Sequence, residues 1–219
     1  MNLRNLKYMF LLMMSVFALA SCSEDDTTTN EYANWQERND KAFADTLAYA
    51  RAQIAAGNTE EWKVLLNWSL TGQTPLQGGT SLKYNDDDYI VVHVLDMGNT
   101  NAETPLYTDS IQMSYRGRLI PTDSYARGYV FDETFSSTAF DAKTALPTKT
   151  TVSTGYIDGF TTALLQMRPG DHWQVFIPNN LGYGGTEKTG IPAYSMLRFE
   201  LALHAYKHLS GKNWVYSDK

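Results

Sequence analysis

Tyr183 stands alone among glycines in the stretch Leu181-Gly182-Tyr183-Gly184-Gly185. A buried aromatic seldom occupies such a loop, so this spacing presents the phenol for contact rather than for packing. Asp132 follows Phe131, where its carboxylate either ties a turn or faces a ligand. Tyr115, Phe160 and Phe199 lie in periodic segments and read as core unless the fold draws them together. The familiar reactive constellations are missing from the sequence. No Gly-x-Ser-x-Gly elbow marks a nucleophilic serine. The Gly182–Gly185 loop lacks the Lys-Ser/Thr that completes a phosphate loop. His204 and His208 are four residues apart, but His204 falls in an apparent strand and no His-Glu-x-x-His accompanies them, so zinc is not expected. Asp86-Asp87-Asp88 lacks the spaced ligands and closing Glu of a calcium loop and reads as a turn. No metal and no cofactor is expected.

The elements that must position these groups follow from hydrophobic period. Ile157, Phe160, Leu164 and Met167 recur at helical spacing. Arg168-Pro169-Gly170-Asp171 then breaks the helix and fits a type II turn. Trp173, Val175 and Ile177 alternate as a strand that Pro178 ends. Further strands are predicted at Tyr89–Leu95, Ser110–Leu119, Tyr129–Phe135, residues 148–154 and Met196–Leu203. A largely antiparallel sheet with one short helix laid across it is an α+β domain. Upstream, residues 31–56 read as a helix with Phe43, Leu47, Ala50 and Ile54 on one face, stopped by Gly57-Asn58. Asn58 and Glu61 resemble a capping box, which predicts a second short helix carrying Trp62, Leu65 and Leu66. This helical region either covers the main domain or forms a homodimer through residues 31–70. Residues 71–80 are a loop.

With 219 residues, one domain with appendages is expected, or two small ones. The net charge of −6 argues against a nucleic-acid partner. A single cysteine, Cys22, excludes an intramolecular disulfide and a four-cysteine metal site. It ends a basic-then-apolar leader: Arg4 and Lys7, the apolar run Tyr8–Ala20, then Leu19-Ala20-Ser21-Cys22. These small residues before a cysteine resemble the bacterial lipobox, which implies cleavage of residues 1–21 and lipid on Cys22. Each buried CH₂ of such a lipid contributes about 0.8 kcal/mol to membrane binding. Residues 22–30, with Ser23-Glu24-Asp25-Asp26, form a flexible tether. Acidic residues just after the cysteine resemble the export signal of surface lipoproteins in the Bacteroidetes. The expected location is therefore the cell envelope, lipid-anchored to the outer membrane on its periplasmic or surface face.

Five phrases in order resemble the FKBP-type peptidyl-prolyl cis-trans isomerases. They are Asp109–Leu119, Phe131-Asp132-Glu133-Thr134, Tyr156-Ile157-Asp158-Gly159-Phe160 with Leu164–Gly170, Ile177–Gly184 and Ile191–Leu203. The resemblance covers residues 88–207 and leaves 31–80 as a helical extension and 208–219 as a tail. It implies an FKBP-like curved antiparallel sheet wrapped around the short helix, with an aromatic pocket between them. By matching position the pocket residues are Tyr115, Phe131, Asp132, Ile157, Phe160, Tyr183 and Phe199, with the substrate-binding Ile191 at its edge. The implied partners are proline-containing polypeptides and the macrolide ligands of the family. The chain departs from the family pattern in four places. Phe160 stands where Trp is usual, and Ala193 replaces the second proline of the Ile-Pro-Pro phrase. The Leu119–Phe131 connection is long, and no aromatic in 148–154 matches the one that usually precedes the helix phrase.

The implied reaction suits such residues. Peptide-bond rotation costs about 18–20 kcal/mol because twisting loses amide resonance. A catalyst need only bind the twisted amide better than either planar form. Phe131, Phe160 and Phe199 would wall the site. The Ile157 N–H and the Tyr183 hydroxyl would hold substrate carbonyls, and Asp132 would be a polar pocket group bonded to Tyr115 or near the twisted carbonyl, not a general base. The alternative is a non-catalytic FKBP-like peptide-binding or chaperone lipoprotein, which Phe160 and Ala193 keep open.

Overall fold

The segments with a two-residue period become strands, and the strands join in one antiparallel sheet. The structure is a computed structural model that describes residues 30–75 and 82–217. The signal-peptide reading, Cys22 and its tether up to residue 29 lie outside the described residues, as does part of the predicted 71–80 loop. Among the described residues the strands are β1 Trp62–Leu66, β2 Tyr89–Asp96, β3 Ser110–Arg118, β4 Val130–Glu133, β5 Thr148–Thr151, β6 His172–Ile177, β7 Leu197–Lys207 and β8 Val215–Tyr216. Their order is β1-β2-β6-β7-β3-β4, with β5 beside the start of β3 and β8 beside the end of β7. β3 and β7 are the long central pair, interrupted by a bulge between Gln112 and Met113.

Two helices cover this sheet: α1, Trp35–Ala55, and α2, Asp158–Leu164. Helix α2 buries Phe160, Ala163 and Leu164 against the face that carries Val175, Ile177, Phe199 and Leu201. It approaches so closely that a Cβ on Gly159 would overlap the Ile177 side chain. The helix ends at Leu164, before the predicted Met167, and the predicted turn follows. Gly170 takes φ +91° and Asp171 N–H donates to Arg168 C=O at 2.9 Å, as a type II turn requires. The Asp171 carboxylate, itself buried, accepts from Arg168 N–H at 2.6 Å and Gly98 N–H at 2.7 Å and locks the turn to the preceding loop.

Helix α1 lies on the opposite face. Tyr49 meets Trp62 edge to face at 5.1 Å, and Trp62 stacks on His93 at 4.4 Å. This explains why Ile90, Val91 and Val92 of β2 are all fully buried. A strand with helices over both faces has no solvent side, so its sequence is continuously apolar rather than alternating. Trp35, Asn39, Phe43, Leu47 and Ala50 of α1 are buried within the chain. Of the two readings of this region, covering the main domain is the arrangement in the structure.

Two sequence expectations are corrected. Trp62–Leu66 is not a second helix but the edge strand β1, paired with Tyr89–His93 of β2. The supposed capping box is used otherwise: Glu61 pairs with His93 at 3.0 Å and the Asn58 amide reaches Gln53 at 2.6 Å. Five residues are too few to nucleate a helix when an open sheet edge offers a full set of backbone partners. The extension read as helical over 31–80 therefore contributes a strand to the main sheet. The C-terminal tail likewise supplies β8, through Val215 and Tyr216.

Helix α1 is fastened by polar groups. Asn39 donates to Trp35 C=O at 2.7 Å and accepts from Met196 N–H at 2.8 Å, both away from water. The Trp35 indole N–H donates to Ser195 Oγ at 2.8 Å. Replacing Asn39 by Ala leaves a buried N–H unpaired and is expected to destabilise the chain by about 1–3 kcal/mol in urea unfolding. Lys41→Ala, which breaks an exposed pair with Asp45, is expected to change stability by no more than about 1 kcal/mol. Equal effects of the two substitutions would contradict this account of how α1 is fastened.

Candidate functional site

Tyr115 on β3, Phe131 and Asp132 on β4, Ile157 and Phe160 at the start of α2, Phe199 on β7 and Tyr183 and Ile191 in the connection from β6 to β7 line one cleft of ≈ 570 Å³. The structure thus brings together every candidate site residue among those it describes. Strand alternation and helix docking do the positioning. Phe199 faces α2 because Leu197, Phe199, Leu201 and Leu203 share that face of β7. Its ring meets Phe160 at 4.9 Å and 74° and Phe131 at 5.5 Å and 86°. Tyr115 meets Phe160 at 5.7 Å and 80°. These edge-to-face pairs suit the aromatic quadrupole and hold an apolar floor without stacking it shut. Gly117 makes room for that floor: a Cβ there would overlap the Phe131 ring.

Burial grades from floor to rim. Phe160 and Phe199 are buried, Tyr115 and Phe131 are half-buried, and Asp132 and Tyr183 are exposed. The Tyr115 hydroxyl donates to Asp132 Oδ2 at 2.7 Å. Thr134 N–H donates to Tyr115 C=O at 2.9 Å, and the Thr134 Oγ1 accepts from Tyr115 N–H at 2.9 Å, which pins β4 to β3 beside the cleft. Burial, then the hydrogen bond to Asp132, pushes the Tyr115 phenol well above the ordinary tyrosine range. Burial, then the charge of Asp132, raises Tyr183 as well. Both phenols therefore stay protonated, and Tyr183 keeps a donor for a ligand. Among the described residues, the Ile157 N–H at the start of α2 has no hydrogen-bond acceptor. The Tyr183 loop is held by Gly184 N–H on Asn179 C=O at 2.8 Å and Tyr194 N–H on Gly184 C=O at 2.7 Å. Asn179 in turn donates to Asp40 of α1 at 3.0 Å.

Sequence reasoning missed four lining residues, Gly155, Tyr156, Lys188 and Thr189. Tyr156 packs on Phe160 with ring centroids at 5.0 Å. It supplies an aromatic that 148–154 lacks, because the chain places it directly before Ile157 rather than in the strand. Lys188 and Thr189 close the rim, with Lys188 Nζ 5.6 Å from the Tyr183 ring centroid. They sit in an irregular loop with no period, so only the fold brings them to the cleft. No group of His, Cys, Asp or Glu among the described residues is arranged to hold a metal ion.

Residues 101–204 match the family model for FKBP-type peptidyl-prolyl cis-trans isomerase. A macrophage infectivity potentiator from Trypanosoma cruzi is 38% identical over 104 residues, covering 47% of this chain and 46% of that protein. The peptidyl-prolyl cis-trans isomerase Mip of Coxiella burnetii is 28% identical over 89 residues, covering 41% of this chain and 33% of that protein. The match thus spans half or less of the length of these curated relatives. The crystal structure of the three FKBP domains of wheat FKBP73 is 25% identical, covers 56% of this chain and 48% of that one, and has a TM-score of 0.44.

The Tyr115–Asp132 pair makes a titration test. A raised folded pKa means that the neutral phenol adds stability below the ordinary tyrosine value of about 10, lost as pH rises through the folded value. In an ultraviolet phenolate titration, Tyr115→Phe is expected to remove a late-ionising tyrosine. Asp132→Asn, which removes the adjacent negative charge, is expected to bring that ionisation to lower pH. An unmoved high-pH limb in both variants would place the late tyrosine elsewhere.

Proposed function

We propose that this chain, whose residues 101–204 match the family model for FKBP-type peptidyl-prolyl cis-trans isomerase, isomerises Xaa-Pro bonds in exported or cell-envelope proteins. The observation that carries the reading is the convergence of Tyr115, Phe131, Asp132, Ile157, Phe160, Tyr183 and Phe199 on one cleft. A proline ring is apolar and the planar amide before it is charge-separated. On a dry floor of Phe160 and Phe199 the planar amide loses hydration while the ring gains contact, which favours the twisted form relative to both planar ones. The Ile157 N–H holds a substrate carbonyl at the helix start, where the backbone dipole adds to the bond. Tyr183 donates a second hydrogen bond from the rim. Asp132 already accepts from Tyr115. It fixes that ring and places negative charge near the bound peptide, without taking a proton from it. Phe160 in place of Trp keeps the apolar floor while leaving out an indole N–H that a buried site would have to satisfy.

The macrolide ligands of the family are assigned to this same cleft, as competitors of the peptide. The lipobox-like Leu19-Ala20-Ser21-Cys22 supports an outer-membrane lipid anchor on Cys22. A homodimer through residues 31–70 would have to use the exposed side of α1, where Tyr49 lies, since Phe43, Leu47 and Ala50 are buried inside the chain.

Exchange of a succinyl-Ala-Leu-Pro-Phe type peptide, followed by NMR, tests the activity. The folded protein is expected to accelerate it over buffer, a macrolide of the FKBP class to suppress it, and Tyr183→Phe to lower kcat/KM by about tenfold, the equivalent of one hydrogen bond. No acceleration with the domain folded would leave only the peptide-binding alternative. A separate measurement addresses the anchor. Cys22→Ser is expected to shift the protein from the membrane fraction to the soluble one, and retention of the variant at the membrane would refute the lipid.

A further inference from the structure

The sheet face behind the aromatic cleft carries positive charge that the isomerase reading does not use. Phe199 faces α2, so alternation turns Arg198 and Glu200 to the other side, where Arg116 and Arg118 of β3 also lie. Arg118 and Arg198 are directly opposite each other in the β3–β7 ladder. Like charges so placed, with Cβ atoms about 4.5–5.5 Å apart, destabilise a sheet. Two carboxylates, Glu133 and Glu200, offset part of this charge and act on Arg118, but each is bonded to another partner. Glu133 accepts from Arg116 Nε at 2.6 Å, and Glu200 is bonded to His172 at 3.1 Å. Arg118 commits one N–H to Gly128 C=O at 3.0 Å. The Arg198 guanidinium, only partly exposed, makes no hydrogen bond or ion pair with any other described residue. Burial, then the charge of a neighbouring guanidinium, lowers the pKa of both arginines, with Arg116 acting on Arg118 and Arg118 on Arg198. Arg116 and Arg127 line the same hollow, which makes four arginines against the one carboxylate of Glu200; its volume is ≈ 450 Å³ and its wall includes Leu95, Pro121 and Ala126. This concentration stands out in a chain of net charge −6.

We propose that this hollow is a binding site for a phosphate group, free or as the monoester of a small molecule. Facing guanidiniums present planar donor forks that match phosphate oxygens. A dianion is the charge that offsets Arg118 and Arg198 together, whereas a single carboxylate leaves one of them unbalanced. The volume is in the range of small-molecule pockets and the apolar wall suits the organic part of an ester. The site lies back to back with the cleft, on the same strands.

Calorimetric titration of the chain with inorganic phosphate, and separately with O-phosphoserine, tests the site at constant ionic strength with chloride as the balancing anion. Saturable binding is expected. Tighter binding of O-phosphoserine assigns the site to esters, and equal or tighter binding of inorganic phosphate assigns it to the free ion. Arg198→Gln and Arg118→Gln are each expected to weaken binding by about tenfold or more, the loss of a charge-assisted hydrogen bond. Arg51→Gln, which breaks a pair with Asp86, leaves it unchanged. Phosphate raises the melting temperature of the parent and not of Arg198→Gln. That variant without ligand melts no lower than the parent, because a repulsion has been removed. Arg127→Gln, at an exposed position, gives a second reading that does not depend on how the ladder tolerates change, and weakens binding in the same direction. No saturable binding of either compound, or undiminished binding by Arg198→Gln and Arg127→Gln, would overturn the proposal.

Discussion

The edge-to-face contact of Phe160 with Phe199, at 4.9 Å, is the interaction on which the site depends. It joins the short helix to the central strand of the sheet. A helix of seven residues has little stability of its own and takes its position from what its apolar side buries. Gly159 lets it sit down on Ile177, and Leu164 and Met167 continue the buried line into the turn. Once α2 is held this way, its first N–H groups and Ile157 point toward the open end of the sheet. Phe131 and Tyr115 then meet a floor already in place. A displacement of Phe199 would therefore move the helix start and the polar rim together.

The two-residue period of β3 and β7 gives these strands two chemically opposite sides. Gly117 and Phe199 make one side apolar and turn it toward the cleft. Their sequence neighbours Arg118 and Arg198 make the other side cationic. No register shift separates the two, because the ladder runs without interruption from Met113 to Arg118. The bulge falls further along, between Gln112 and Met113, away from the cleft. A ligand held by the arginines would thus press on the strands that carry the aromatic wall.

Helix α1 belongs to the same construction. It covers the face of β2 and β6 that α2 does not, and its Trp35 and Asn39 grip Ser195 and Met196 just before β7 begins. Asp40 holds Asn179 at the root of the Tyr183 loop. The rim of the cleft is therefore braced from outside the 101–204 segment that matches the family model.

Much of this was legible in the chain alone. Period fixed β3, β6, β7 and α2, and a β-branched apolar run fixed β2, because alternation, helical spacing and composition are local properties of sequence. The order of five short phrases pointed to the site residues, and Tyr115, Phe131, Asp132, Ile157, Phe160, Tyr183, Ile191 and Phe199 do converge. Other features were decided only by tertiary structure. Trp62–Leu66 has spacings that serve helix or strand, and the free edge of β2 chose strand. Val215 and Tyr216 became β8 because β7 runs on to Lys207 and offers an unpaired edge. Tyr156, Lys188 and Thr189 reached the cleft through loop geometry that has no sequence period. The opposition of Arg118 and Arg198 was likewise invisible, since they are eighty residues apart in the chain. Local pattern specifies which face of an element is apolar, but which elements become neighbours depends on long-range pairing, and the cleft and the arginine hollow both arise there.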